Sequence, residues 1–395
     1  MLNIILFDNP RVRGDLLPLT FTRPTALLRQ GILTIKEKWE RYIPARYSYL
    51  TESYLSTVFP VHKADYSDNN LLVAGHVSPT PELAKMATSL RPGQKLVSDK
   101  GELLAARGAE TLDATESFET VTFTLPYPAI RNVLDIFEGN GEALERDFEL
   151  VTSGRTSLPV SDSNCIIGPR KRIFLEEGAV MEGATVNTLH GPVYLGREAE
   201  VMEGACIRGA LCVGDHSHIN MGAKIYGPTT LGPHCKAGGE LNNVVFIGYS
   251  NKGHDGFLGN AVIGQWCNLG GGTTASNLKN DYSEIKLWNY PLHRFARTGR
   301  QFCGLIMGDH SKAGINTMFN TATVVGVGAN IHGSGFPRNF VASFTEGSPG
   351  AGFNDVNPTR FFDIARRVMA RRDVELTEAD IQMYTDLYDI TEKYR

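Results

Sequence analysis

The side chains best suited to chemistry are concentrated between residues 252 and 312. The run Lys252-Gly253-His254-Asp255-Gly256-Phe257-Leu258-Gly259 sets one histidine among glycines. An imidazole titrates near neutrality, so it can take a proton from one group and pass it on at ordinary pH. Asn268 and Asn277 follow, and between them Gly270-Gly271-Gly272 lets a ligand approach backbone N–H groups that can steady negative charge. Gly308-Asp309-His310-Ser311-Lys312 adds a further cation and imidazole. In the N-terminal part, Arg11, Arg13 and Arg23 flank Gly14 in a segment where cations and a glycine could meet phosphate.

What must hold these groups is a six-residue period. From Leu195 an aliphatic or small apolar residue returns as Val201, Ile207, Val213, Ile219, Ile225, Leu231 and Ala237. Neither an α-helix nor an ordinary strand repeats every six residues; this is the hexapeptide signature of a parallel β-helix, each hexad forming one flat side of a triangular prism. The register starts at Leu175 and Met181, and resumes at Ile263, Leu269 and Ala275 and again from Met307 to Pro337. Nineteen such hexads predict about six coils, a rod of roughly 30 Å at ~4.8 Å per rung. Two stretches depart from the period, Asn242 to Asn260 and Ser276 to Gly304, and are expected to be excursions carrying the binding function. His216 and His234, eighteen residues apart, should stack on successive coils with His218 close by, too few ligands for a metal site to be expected.

Composition bounds the rest. With 395 residues, 42% apolar, 21% charged and a net charge of −4, the chain fits two or three globular domains and gives no electrostatic case for nucleic acid. The apolar opening MLNIILFD is too short for a signal peptide and no run reaches the ~18 residues of a membrane span, so no membrane and a cytoplasmic location are expected. The six cysteines, without a C-x-x-C pair, read as reduced core fillers. Residues 1–160 read as an α/β domain with strands at Leu2–Phe7 and Leu71–Ala74, a tight turn at Asp99-Lys100-Gly101 and a helix from about Thr25 carrying Leu28, Ile32, Ile35 and Trp39 on one face. Residues 161–354 hold the prism, and 355–395 two capping helices, opened by Asn357-Pro358 and by the capping box of Thr377 and Asp380.

Two resemblances follow from these motifs. Arg13 to Arg29, RGDLLPLTFTRPTALLR, resembles the start of sugar-1-phosphate nucleotidyltransferases, although the glycine pair of their loop is replaced and Gly75-His76 stands where a Gly-Asp would hold Mg²⁺. The run from Lys252 to Asn277 is similar to the acetyltransferase domain of bifunctional UDP-N-acetylglucosamine pyrophosphorylase/glucosamine-1-phosphate N-acetyltransferases, and Gly308 to Thr317 is similar to their archaeal relatives. The resemblance implies a truncated, diverged nucleotidyltransferase-like α/β domain joined to an all-β left-handed parallel β-helix with C-terminal helices. It implies His254 as general base, Asn268, Asn277, Phe257 and Lys252 as substrate-binding, and Gly270, Gly271, Gly272 and Lys312 as cofactor-binding residues. Arg11, Arg13 and Arg23 would bind nucleotide, and the likeness supplies no resident metal. Phe257, Tyr226 and Asn242 depart from the tyrosine, arginine and lysine of the family's sugar site, and Ser283 from its lysine.

The function so implied is acetyl transfer from acetyl-CoA to an amino sugar or amino-sugar phosphate by a homotrimer, with Mg²⁺ needed only if the N-terminal domain is active. The alternatives are a sugar-1-phosphate nucleotidyltransferase using UTP or dTTP with the β-helix as trimerisation module, and a non-catalytic assembly protein that binds a nucleotide sugar.

Overall fold

The structure is a computed structural model describing residues 2–395. Its N-terminal part is a sheet of β1 (Asn3–Phe7), β2 (Arg46–Leu50), β3 (Asn70–Ala74), β4 (Gln94–Ser98), β5 (Leu103–Arg107) and β6 (Glu119–Phe123), in the order β2-β1-β3-β5-β4-β6. Strand β1 runs parallel to β2 and β3, while β5 is antiparallel to β3 and β4. Helices α1 (Pro10–Asp15), α2 (Ile35–Tyr42), α3 (Pro81–Ser89), α4 (Val133–Glu138) and α5 (Asn140–Thr152) accompany it. Both β1 and β3 are buried at every residue, as the apolar runs after Asn3 and Asn70 require, and Asn3 donates a hydrogen bond to Asn70 at 2.8 Å. The helix expected from Thr25 starts later. Thr25–Leu27 is a single 3₁₀ turn, Gly31 adopts φ +81°, and α2 opens at a capping box in which Thr34 and Glu37 exchange hydrogen bonds.

From Cys165 the chain winds into a parallel β-helix whose three faces are stacks of short strands. On the third face Val201, Ile219 and Ala237 lie in register, and on the first Ile207 and Ile225 do so, as the six-residue period demands. Their side chains, with Leu195, Val213 and Leu231 of the second face, form a closed apolar column. Stacking there contributes about 1.5–3 kcal/mol for each large aliphatic side chain buried.

The column is longer than the hexad count implies. Nine parallel rungs stack on the third face, from Val180–Met181 to Thr345–Ser348, in part because Asn242 to Asn260 is a coil of the prism and not an excursion. Glu240–Gly248 and Phe257–Gln265 are nine-residue strands paired in register, Leu241 against Leu258 and Phe246 against Ile263. Shortened corners break the hexad arithmetic there without breaking the stack. The second stretch, Ser276 to Gly304, does leave the prism, as a hairpin of Lys286–Asn289 and Arg294–Arg297. It folds back on the N-terminal domain: Asn289 donates to Asp15 at 3.1 Å and Tyr290 meets Phe21 edge-on at 5.1 Å.

The second face is covered by the N-terminal domain, since Val245, Val262, Ile306 and Val324 share one apolar cluster with Ile4, Leu72 and Phe137. Helix α5 covers its lower part, placing Leu144 and Val151 with Ala210 and Cys212. Cys235 and Cys267 are core residues, whereas Cys165 and Cys206 are exposed on the first face and fill no core. Helices α6 (Pro358–Ala370) and α7 (Glu378–Ile390) lie against the far end, with Phe361 packed on Phe344 and His310.

Along the corner between the second and third faces His216, His234, Tyr249, Trp266 and His310 all adopt φ between 55° and 61°. Their rings stack as a ladder, 4.7 Å from His216 to His234 and 4.2 Å from Tyr249 to Trp266. At its end His310 is 3% exposed, and neither ring nitrogen has a hydrogen-bond partner among the described residues. Burial, then Lys312 and Arg23, push its pKa well below the ordinary value. Beside it, Asp309 receives Arg23 and the Thr22 hydroxyl (2.8 Å) from the N-terminal domain and the Gln265 amide (2.8 Å) from the prism. A Cβ on Gly264 would come within 2.4 Å of this carboxylate, so the junction requires glycine there.

Two outcomes are expected. Asp309→Asn should cost about 3–5 kcal/mol by stranding buried Arg23, and Arg23→Met with Asp309→Leu should recover most of that; chemical denaturation measures both, and a double variant no better than the single would refute the stranded-charge account. Unfolded His310 takes a proton below about pH 6.5 whereas the buried ring does not, so stability falls as pH drops through that range. His310→Phe, tolerable because Phe344 adopts φ 54° at its own corner, should flatten this slope in melting curves between about pH 7.5 and 5. Parallel slopes would exclude His310 as the source.

Candidate active site

His254 sits on the corner between the third and first faces, exposed, with no hydrogen bond to its ring from the described residues. The backbone around it is pinned at three successive carbonyls. The Asn220 amide donates to Gly253 O at 2.8 Å, Lys252 Nζ to His254 O at 2.8 Å, and the Gly272 N–H to Asp255 O at 2.9 Å. The Gly270–Gly272 turn of the next coil lies against the imidazole: a Cβ on Gly271 would be 3.6 Å from His254 Cβ and 3.9 Å from Cδ2. Gly272 (φ +74°) is tighter, as a Cβ there would strike Asn316 Oδ1 at 2.0 Å. The chain thus offers an accessible imidazole on a held loop, beside a turn with no side chains.

On the first face, Phe257 and Asn277 meet over Gly259, where a Cβ would lie 2.6 Å from the Phe257 ring and 2.7 Å from Asn277 Nδ2. Asn277 Nδ2 in turn donates to Asn260 Oδ1 at 2.7 Å. Below Phe257, Glu240 accepts the Tyr226 hydroxyl, which pushes the phenol up to about 12 and keeps it neutral. Asn268 is exposed but belongs to the third face, across the corner from Phe257 and Asn277. Beyond Asn277 a groove of 720 Å³ opens between Ser276, Lys279, Lys286, Phe295, Asn320 and Asn339.

Several expected ligands are already engaged. Lys252 occupies an inward position of the column, in register with Ala237, and is 1% exposed. It cannot reach a substrate on the surface. Lys312 donates to His310 O at 2.9 Å and shares a small cavity with Phe361 and Ile364 beneath α6, which removes it from the glycine turn. Arg13 is buried, giving its guanidinium to Thr20 O and the Tyr54 hydroxyl, both at 2.7 Å, and Arg23 is spent on Asp309. Of the three arginines expected to bind nucleotide only Arg11 is exposed.

The end of β3 does not fit Mg²⁺. His76 is buried there and pairs with Glu102 at 2.8 Å, and Glu102 also accepts from Tyr127 and Arg131, both at 2.6 Å. Burial opposes ionisation of Glu102, but these three donors outweigh it and hold the carboxyl well below the usual range. Asp8, buried beneath Thr25 N and the Thr51 hydroxyl, has its pKa raised by burial. Among the described residues no three His, Cys, Asp or Glu side chains are grouped to hold a metal.

Asn220, the pairing of Asp309 with Arg23 and that of His76 with Glu102 escaped the sequence reading. Only Asn220 left a signal, following the inward Ile219 in the frame where Gly238 and Gly253 follow theirs.

Residues 4–156 match the family described as sugar nucleotidyl transferase. The bifunctional sugar-1-phosphate nucleotidylyltransferase/acetyltransferase of Sulfurisphaera tokodaii is 30% identical over 146 residues, a match spanning 36% of this chain and 36% of that protein. Among solved structures, the UDP-N-acetylglucosamine acyltransferase of Francisella novicida aligns at 14% identity over 60% of this chain and 76% of its own, with a TM-score of 0.28. A GDP-perosamine N-acetyltransferase of Caulobacter crescentus, solved with CoA and GDP-perosamine, aligns at 9% identity over 90% and 97%, with a TM-score of 0.18. Superpositions so loose leave the fold to be read from this chain's own strand pairing. Over residues 4–156 the chain is similar to the sugar nucleotidyl transferases, and over 146 residues it is similar to a bifunctional sugar-1-phosphate nucleotidylyltransferase/acetyltransferase.

Proposed function

We propose that this protein transfers an acetyl group from acetyl-CoA to the amine of an amino sugar or amino-sugar phosphate, at the corner that carries His254. The observation that supports it most is the exposed imidazole on a loop pinned at three carbonyls, facing a glycine turn. His254 takes the proton from the attacking amine, the nitrogen bonds to the thioester carbonyl carbon, the C–S bond breaks as the carbonyl reforms, and the imidazolium returns the proton to the departing CoA thiolate. The bare turn at Gly270–Gly272 admits the reacting carbonyl close to backbone N–H groups, where its developing charge is steadied. Phe257 and Asn277 provide a ring face and an amide for the sugar, and the groove beginning at Ser276 has the volume and the lysines, Lys279 and Lys286, for a CoA chain and its phosphates.

The site is divided across a corner, with Asn268 on one face and Phe257 and Asn277 on the other, an arrangement suited to completion by a neighbouring copy in a homotrimer. Met221 and Ile315, two coils to either side of His254 on the same corner, are 71% and 75% exposed, which supports an apolar contact there.

The N-terminal domain, in this reading, is a docking partner and not a second active site. Its signature segment is buried against the prism and the hairpin, so closely that a Cβ on Gly14 would be 2.9 Å from Pro291.

His254→Ala should lower turnover of acetyl-CoA with an amino sugar by about 10²–10⁴-fold, read as CoA thiol release, and leave acetyl-CoA binding in calorimetry intact. Full activity in that variant would remove His254 from the reaction. The native protein should release no pyrophosphate from UTP or dTTP with sugar-1-phosphates in the presence of Mg²⁺; steady release would show that the domain still turns over.

A further inference from the structure

Lys252 stands where an apolar residue belongs. From Met181 to Ile331 the inward positions stacked on the third face are Met181, Val201, Ile219, Ala237, Lys252, Leu269, Ala313 and Ile331, and all but Lys252 are apolar members of the column. Placing an ammonium in such a column is costly unless its donors are met. No carboxylate comes within ion-pairing distance of Nζ; it donates to two carbonyls, His254 O at 2.8 Å and Gly238 O at 3.2 Å. Burial pulls its pKa down to about 8, against the opposing pull of Asp255.

The neighbouring coil is shaped for this bond. Ala237, in register beneath, is among the smallest side chains of the column and leaves room for the lysine stem. Gly238 is required because a Cβ there would lie 2.5 Å from Gly253 O, and with it the loop settles low enough for one amine to span both carbonyls. A methionine or leucine would fill the same volume without a buried charge. What the lysine adds is a bond from inside the prism to the carbonyl of the residue whose imidazole projects outward.

We infer that Lys252 is a positioning residue for His254: its amine, held in the apolar column, fixes the carbonyl of residue 254 and so the direction of the imidazole. This rests on the acetyl-transfer reading for its kinetic consequence, but not for its structural one.

The test compares the full-length protein with Lys252→Met, and with Lys252→Leu as a companion that copies Leu269. Both variants are expected to melt no lower than the native protein and to bind acetyl-CoA with unchanged Kd. Their kcat should fall about 100-fold, the scale of loss when a reacting group is misplaced by about 1 Å, with KM for the amine nearly unchanged. Amide exchange at residues 254–256 should quicken more than about tenfold while exchange in the rest of the column stays as it was. Native exchange at that loop in the variants, or native kcat, would overturn the inference. If the native protein released no CoA with any amino sugar, the acetyl-transfer reading would fall, and the exchange measurement would decide the role of Lys252 by itself.

Discussion

The structure depends on one packing constraint: each coil of the prism must set three inward side chains directly on those of the coil beneath. Strand pairing fixes the rise at about 4.8 Å and leaves no freedom to slip, because a one-residue shift would turn a buried aliphatic outward. Everything functional is a consequence of where the corners then fall. His254, the Gly270–Gly272 turn and Asn316 share a corner because Lys252, Leu269 and Ala313 share a column position.

The same constraint explains why the prism tolerates irregular spacing. A coil may lose residues at a corner so long as its inward side chains stay aligned, and that is how Asn242 to Asn260 fits. Corners also concentrate unusual backbone. At the second corner a left-handed residue in coil after coil puts rings above one another, and the ladder from His216 to His310 carries that geometry up to the C-terminal helices.

The N-terminal domain shows how a segment suited to one chemistry can be committed to another contact. The sequence from Arg13 to Arg29 resembles a phosphate-binding loop, yet its buried arginines are engaged within the chain. Arg13 serves the Thr20 carbonyl and Tyr54, while Thr22 and Arg23 serve Asp309. A buried arginine needs a fixed, desolvated partner, and Asp309, held by the Gln265 amide, is such a partner. The His76–Glu102–Arg131 network closes the end of β3 in the same manner, with a carboxylate whose acceptor capacity is taken by three donors.

The prism was legible in the chain alone because its core repeats every six residues, and a periodic demand on side-chain size writes itself directly into sequence. The His254 loop, the glycine turn and the capping box of Thr377 and Asp380 were legible for a related reason, since each depends on residues a few positions apart. What only the tertiary structure decided is which charged groups remain free. Whether Lys252, Lys312, Arg13 or Arg23 meets a ligand turns on partners such as Gly238 and Asp309, from 14 to 286 residues away in the case of Lys252 and Arg23. Such pairings arise from where coils and domains come to rest, and no local pattern records them. The coil count eluded the sequence for the same reason: alignment in space, and not spacing along the chain, is what the apolar column enforces.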